Sequence, residues 1–131
     1  MRFEKSVEER HTVIKLLEEK LDSQIAPALK SEMVNLNAQG VRNVLLNLSE
    51  VKYVDSSGLS SILTANRVCA AAQGILAISN INPHVEKLIK ISQLETVLKI
   101  FPTESEARDE IHMLEVEKDI LSEKGEKAQD A

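Results

Sequence analysis

The 131-residue sequence has no tryptophan, one tyrosine and two phenylalanines, so any core must be built from aliphatic side chains. A single cysteine, Cys69, excludes an internal disulfide framework and a thiolate zinc site. It lies in the apolar run VCAAA and reads as a small buried hydrophobe rather than a nucleophile. His11, His84 and His112 fall in separate segments without metal-ligand spacing and read as surface or structural residues. Uninterrupted apolar runs stop at five residues, 68–72, whereas a membrane helix needs about 20. The opening MRFEKSVEER lacks the apolar centre of a secretory signal. No glycine precedes a lysine, which excludes the G-x-x-x-x-G-K-[ST] phosphate loop. No G-x-S-x-G elbow occurs either. These absences argue against an enzyme: no catalytic residue, metal or cofactor is expected, and a cytoplasmic protein away from membranes is the default.

Basic charge is also scarce where it would matter. From Glu104 to Ala131 there are ten acidic and four basic residues, a net of −6, while the remainder carries eleven acidic and twelve basic, a net of +1. A near-neutral body without clustered aromatics offers nucleic acid no electrostatic footprint.

What is present is a regular alternation of patterns. TVIKLL (12–17) reads as a strand, with a weaker one over 3–7. Ile25, Leu29, Met33 and Leu36 then recur at helical spacing, with Pro27 in a first turn beginning near Gln24 and Gly40 as the stop. VRNVLLNL (41–48) is the strongest strand, with Val44, Leu46 and Leu48 on one face and Leu45 and Asn47 on the other, so both faces are expected to be at least partly covered. A helix follows with Leu59, Ile62 and Leu63 as its stripe and Gly74 at its end, then the short strand ILAIS (75–79). Asn82-Pro83 signals a capped helix with Val85, Leu88 and Ile89 inside. TVLKIF (96–101) is the last strand, and Thr103 with Glu106 forms a capping box for a helix through Ala107, Ile111 and Leu114. The repeated strand–helix order predicts a single α/β domain over residues 1–121, in which neighbouring strands run parallel. Residues 122–131, acidic and without apolar period, are expected to form a flexible tail.

The chemistry concentrates in Asp55-Ser56-Ser57-Gly58, between strand and helix. Asp and Ser are preferred N-caps, and glycine eases a turn, so the tetrapeptide serves as punctuation on its own. It also suits a phosphate: free N–H groups and the positive end of the helix dipole would face a phosphorylated hydroxyl there. Such a modification adds charge to an exposed helix end without unfolding it, and can block a docked partner.

The surrounding sequence, VRNVLLNLSEVKYVDSSGLSSIL, resembles the STAS-domain anti-sigma factor antagonists: an apolar strand ending Asn-Leu, a short link, D-S-S-G-L, and an apolar helix. LEEKLDSQIAPALKSEM resembles that family's strand–Leu-Asp–helix segment, and INPHVEKLIKISQLETVLKIFPTESEA its closing helix–strand–helix, so the likeness covers about residues 3 to 115. It departs before Asp22: the family often carries glycine two residues before that aspartate, where this chain has Lys20 directly before Leu21 and Glu19 before that. It departs again at Ser60, after Leu59, where glycine is common. The resemblance implies a mixed four- to five-stranded sheet packed with about four helices. It implies that Ser56 is the residue phosphorylated by an anti-sigma factor that is itself a serine kinase, and that a PP2C-type phosphatase reverses this. The unphosphorylated form would bind the anti-sigma factor and so free a sigma factor. Asp22, Asp55, Ser56, Ser57, Gly58 and Leu59 would make up the partner-binding surface. A second reading keeps the fold without the switch: a scaffold subunit of a stressosome-like or lipid-transport ATPase complex.

Overall fold

The computed structural model describes the backbone of residues 1–130 and the side chains of residues 1–122. Its elements in chain order are β1 (Phe3–Val7), β2 (Thr12–Leu16), β3 (Lys20–Leu21), α1 (Ala26–Ala38), β4 (Val44–Asn47) and β5 (Tyr53–Val54). They continue with α2 (Ser56–Ala71), β6 (Leu76–Ser79), α3 (Pro83–Ile91), β7 (Lys99–Phe101) and α4 (Glu104–Asp130). Five strands form one mixed sheet in the order β1-β2-β4-β6-β7. Only β1 is antiparallel to its neighbour; β2, β4, β6 and β7 are mutually parallel. This is the expected α/β architecture, with the chain returning through a helix between the parallel central strands.

The central strands are buried along their length, which explains their unbroken apolar sequences. Alternate side chains serve different cores. Ile14, Leu16, Val44, Leu46, Leu76 and Ile78 pack with α1, α2 and α3 through Leu29, Met33, Ile62, Val85 and Ile89. On the opposite face Val13, Leu45 and Ala77 meet Ala107 and Ile111 of α4, with Ile75 and Phe101 at the margin. The sheet is thus covered deeply on one side and thinly on the other.

Several boundaries differ from the expectations for local reasons. α1 begins at Ala26 rather than near Gln24, because Asp22 accepts the N–H groups of Gln24 (3.0 Å) and Ile25 (3.3 Å) in a turn before the helix. The chain leaves α2 through Gln73 in the left-handed region (φ 65°), not through Gly74. Gly74 is needed one residue later, where a Cβ would collide with the carbonyl of Arg42. The last strand is shorter than TVLKIF, since Val97 and Leu98 donate to the Leu94 carbonyl at 3.1 and 3.0 Å and belong to the turn after α3. Half of the capping box is made: Thr103 Oγ1 accepts the Glu106 N–H at 3.2 Å. The segment 122–131 expected as a tail lies within α4 as far as Asp130, while Ala131 and the side chains from 123 onward lie outside the described residues.

The acidic C-terminal segment is not wholly a solvated face. Glu115 is buried, its Oε1 accepting from Asn43 Nδ2 at 2.7 Å and its Oε2 from Arg42 Nη2 at 3.0 Å. Asn43 in turn accepts from the Ile75 N–H at 2.9 Å, so one asparagine ties α4 to the start of β6. No helix among the described residues is long and apolar enough to cross a membrane.

Candidate functional site

Two short strands that sequence patterns did not reveal build the site. β3 and β5 pair in parallel as a separate ribbon, with Lys20 opposite Tyr53 and Leu21 opposite Val54. The Glu19 carbonyl accepts from Lys52 and Tyr53 (2.8 and 3.1 Å), and the Leu21 carbonyl accepts from Asp55 (3.3 Å). The register delivers Asp22 and Asp55, the residues that follow each strand, to the same edge of the ribbon.

Each aspartate then starts a turn. Asp22 spends its Oδ1 on Gln24 and Ile25, as above. Asp55, in extended conformation (φ −97°, ψ −173°), is the N-cap of α2, its Oδ1 accepting the Gly58 N–H at 2.8 Å. The serines are therefore not caps, as the tetrapeptide alone allowed, but the first two residues inside the helix. Their backbone N–H groups, the first of the helix, have no intrahelical acceptor.

Gly58 has a different role from easing a turn. It sits within the helix, buried, where a Cβ would overlap the Leu21 carbonyl oxygen and lie 2.9 Å from both the Leu21 carbonyl carbon and Val54 Cγ1. Only a residue without a side chain lets α2 start so close to β3. This close approach holds the Asp22 turn beside the Asp55 cap.

Exposure separates the hydroxyls. Ser56 is exposed, Ser57 half-buried, and Ser60 exposed one turn on. Ser61 is fully buried, its Oγ donating to the Gly58 carbonyl at 2.6 Å. Leu59 is half-buried against the main core. The structure thus brings Asp22, Asp55, Ser56 and Ser57 to one surface, with Gly58 beneath it and Leu59 partly inserted. Next to them stands a pair that the sequence did not nominate: Tyr53, 45 % exposed, stacks on His84 of α3 with ring centroids 6.3 Å apart. Asn82, the cap of α3, donates to the carbonyls of Val51 and Lys52 at 3.2 Å and so anchors α3 to this rim. Among the described residues no group of three His, Cys, Asp or Glu side chains could hold a metal ion.

A mixed sheet whose side ribbon poises a serine on the first turn of an Asp-capped helix defines a STAS-like domain. The STAS domain model matches residues 2–107, and the chain belongs to that family. It is 33% identical to a Thermotoga neapolitana homologue of TM1081 over 56% of this chain and 65% of that one. That alignment spans just under two thirds of the relative's length. It is 26% identical to the anti-sigma F factor antagonist of Paenibacillus polymyxa, over 80% of this chain and 91% of that protein. Its fold is similar to that of the Bacillus cell fate determinant SpoIIAA in its phosphorylated form. That likeness has a TM-score of 0.65 and 26% identity, and covers 84% of this chain and 99% of that one.

Proposed function

We propose that this protein is an anti-sigma factor antagonist switched by phosphorylation of Ser56. The observation that carries the reading is the placement of Ser56: the exposed hydroxyl at the first position of α2, beside a cap that Asp55 already satisfies. A phosphate there gains from the unbonded N–H groups and the helix dipole, worth about 0.3–1 kcal/mol at an exposed site. It also lies near Asp22 and Asp55, and this repulsion favours its removal. The balance is modest in either direction, as suits a modification that is added and taken off.

The unphosphorylated surface, with Asp22, Asp55, Ser56, Ser57 and the partly inserted Leu59 over Gly58, docks an anti-sigma factor that carries serine kinase activity. Phosphorylation places about 1.5 to 2 negative charges in the middle of that contact. Desolvating such a group against an interface built for a hydroxyl drives the partner off. A PP2C-type phosphatase restores the hydroxyl. The protein itself acts by binding in the cytoplasm, and its effect on transcription is indirect.

The test is to incubate the protein with ATP and an anti-sigma factor of the serine-kinase class, then locate the phosphate by mass spectrometry. Modification at Ser56, absent in Ser56→Ala, is expected. Phosphate on Ser57 or Ser60 alone, or none at all, contradicts the assignment.

A further inference from the structure

We propose that His11 is a proton sensor that governs how firmly α4 is held on the sheet. His11 closes the β1–β2 turn immediately before β2, only 9% exposed, and its Nε2 has no hydrogen-bond partner among the described residues. A buried imidazole nitrogen with nothing to donate to is tolerable when neutral and costly when charged.

The charges around His11 come from two elements. The turn contributes Glu8, Glu9 and Arg10, and α4 contributes Glu104, Arg108 and His112. Most of these are engaged elsewhere. Arg10 Nη1 bridges to Asp119 at 3.1 Å, and Glu104 accepts from Asn47 at 2.8 Å. Arg108 reaches Glu104 only at 3.9 Å, so its guanidinium is loosely paired. Burial, and next Arg108, hold the His11 imidazole below its ordinary pKa of 6.5, against the smaller opposing influence of Glu8 and Glu104. On the β4 side Arg42 is taken by Glu115. Cavities of about 400 and about 300 Å³ border His11, yet its Nε2 stays buried while α4 is in place.

The element above His11, α4, rests on the sheet through a small apolar contact, Ala107 and Ile111 on Val13, Leu45 and Ala77 with Ile75 and Phe101 at the margin. A second cation beneath Arg108 is relieved when α4 lifts and lets water reach the ring. The sign follows from linkage. A group whose pKa is lowered in the docked state supports that state fully above about pH 6.5, and the support is lost as pH falls through the lowered value. Acidification therefore undocks α4 and uncovers Val13, Leu45 and Ala77, while α1, α2 and the Ser56 surface on the other core stay in place.

Hydrogen exchange of the full chain, compared at about pH 7.5 and about pH 5 and corrected for intrinsic rates, tests this. Residues 107–115 should lose protection by at most about tenfold per pH unit, the limit for one proton, while α1 and α2 hold theirs. His11→Gln should abolish the difference, and Glu115→Gln should keep it, which separates the imidazole from the buried carboxylate. In the wild type the His11 ring and the α4 amides should titrate by NMR with one shared midpoint below 6.5. Equal α4 protection at both pH values, an undiminished effect in His11→Gln, or separate midpoints would overturn the proposal.

Discussion

The carbonyl of Leu21 occupies the space in which a side chain at Gly58 would stand. Through this contact the ribbon of β3 and β5 and the first turn of α2 become one unit, and Asp22, Asp55 and Ser56 acquire fixed relative positions. The geometry of the candidate switch therefore rests on a residue that is itself buried.

Gly58→Ala should destabilise the fold by about 1–3 kcal/mol, the usual cost of forcing atoms into a closed space. Helix propensity alone would favour alanine by about 0.5–1 kcal/mol, so the sign discriminates. Urea denaturation monitored by circular dichroism reads it, and a stabilised variant would show that β3 does not press on α2.

Asp55→Ala removes the bond to the Gly58 N–H and should cost about 1 kcal/mol, the typical value for an N-cap. Asp55→Asn keeps an acceptor and should recover most of the loss. If both variants melt alike, the charge of Asp55 matters more than its capping bond.

Glu115→Ala takes the carboxylate acceptor from buried Asn43 and releases the exposed Arg42 guanidinium to solvent. Loss of charged hydrogen bonds of this kind costs about 1.5–3 kcal/mol. Glu117→Ala, two positions on and exposed, should stay within about 0.5 kcal/mol. The pair measures how much of the acidic segment is structural.

Burial pushes the Cys69 thiol up to about 12, with the Val44 backbone only partly offsetting it. The native protein at pH 8 should therefore react with a thiol reagent orders of magnitude more slowly than the unfolded chain, whose thiol titrates near 8.5. Comparable rates in native buffer and in denaturant would mean that α2 opens readily.

Much of this was legible in the chain. The apolar runs at Val44–Leu46 and Leu76–Ile78 mark the central parallel strands, because strands covered on both faces need no polar alternation. Asn82-Pro83 and Asp55-Ser56 mark helix starts through local chemistry, and both caps are made. Features that depend on distant partners were not legible. β3 and β5 are two residues each, too short for any period, and exist only because they pair with one another. Gly58 looks like a turn glycine until Leu21 is placed against it. Glu115 reads as one acid among ten until Asn43 and Arg42 meet it, and Tyr53 meets His84 only because Asn82 docks α3 beside β5. Among the serines, the family resemblance singles out Ser56, while helix-start chemistry alone treats it and Ser57 alike; Ser56 is the more exposed of the two.

The central claim is that the hydroxyl state of Ser56 decides partner binding, and titration calorimetry against an anti-sigma factor of the serine-kinase class tests it most directly. Ser56→Ala should bind as the unmodified protein does, and Ser56→Asp should bind at least about tenfold more weakly, a difference of roughly 1.4 kcal/mol. Equal affinity for the two variants, with Ser56-phosphorylated protein binding as tightly as either, would contradict the switch.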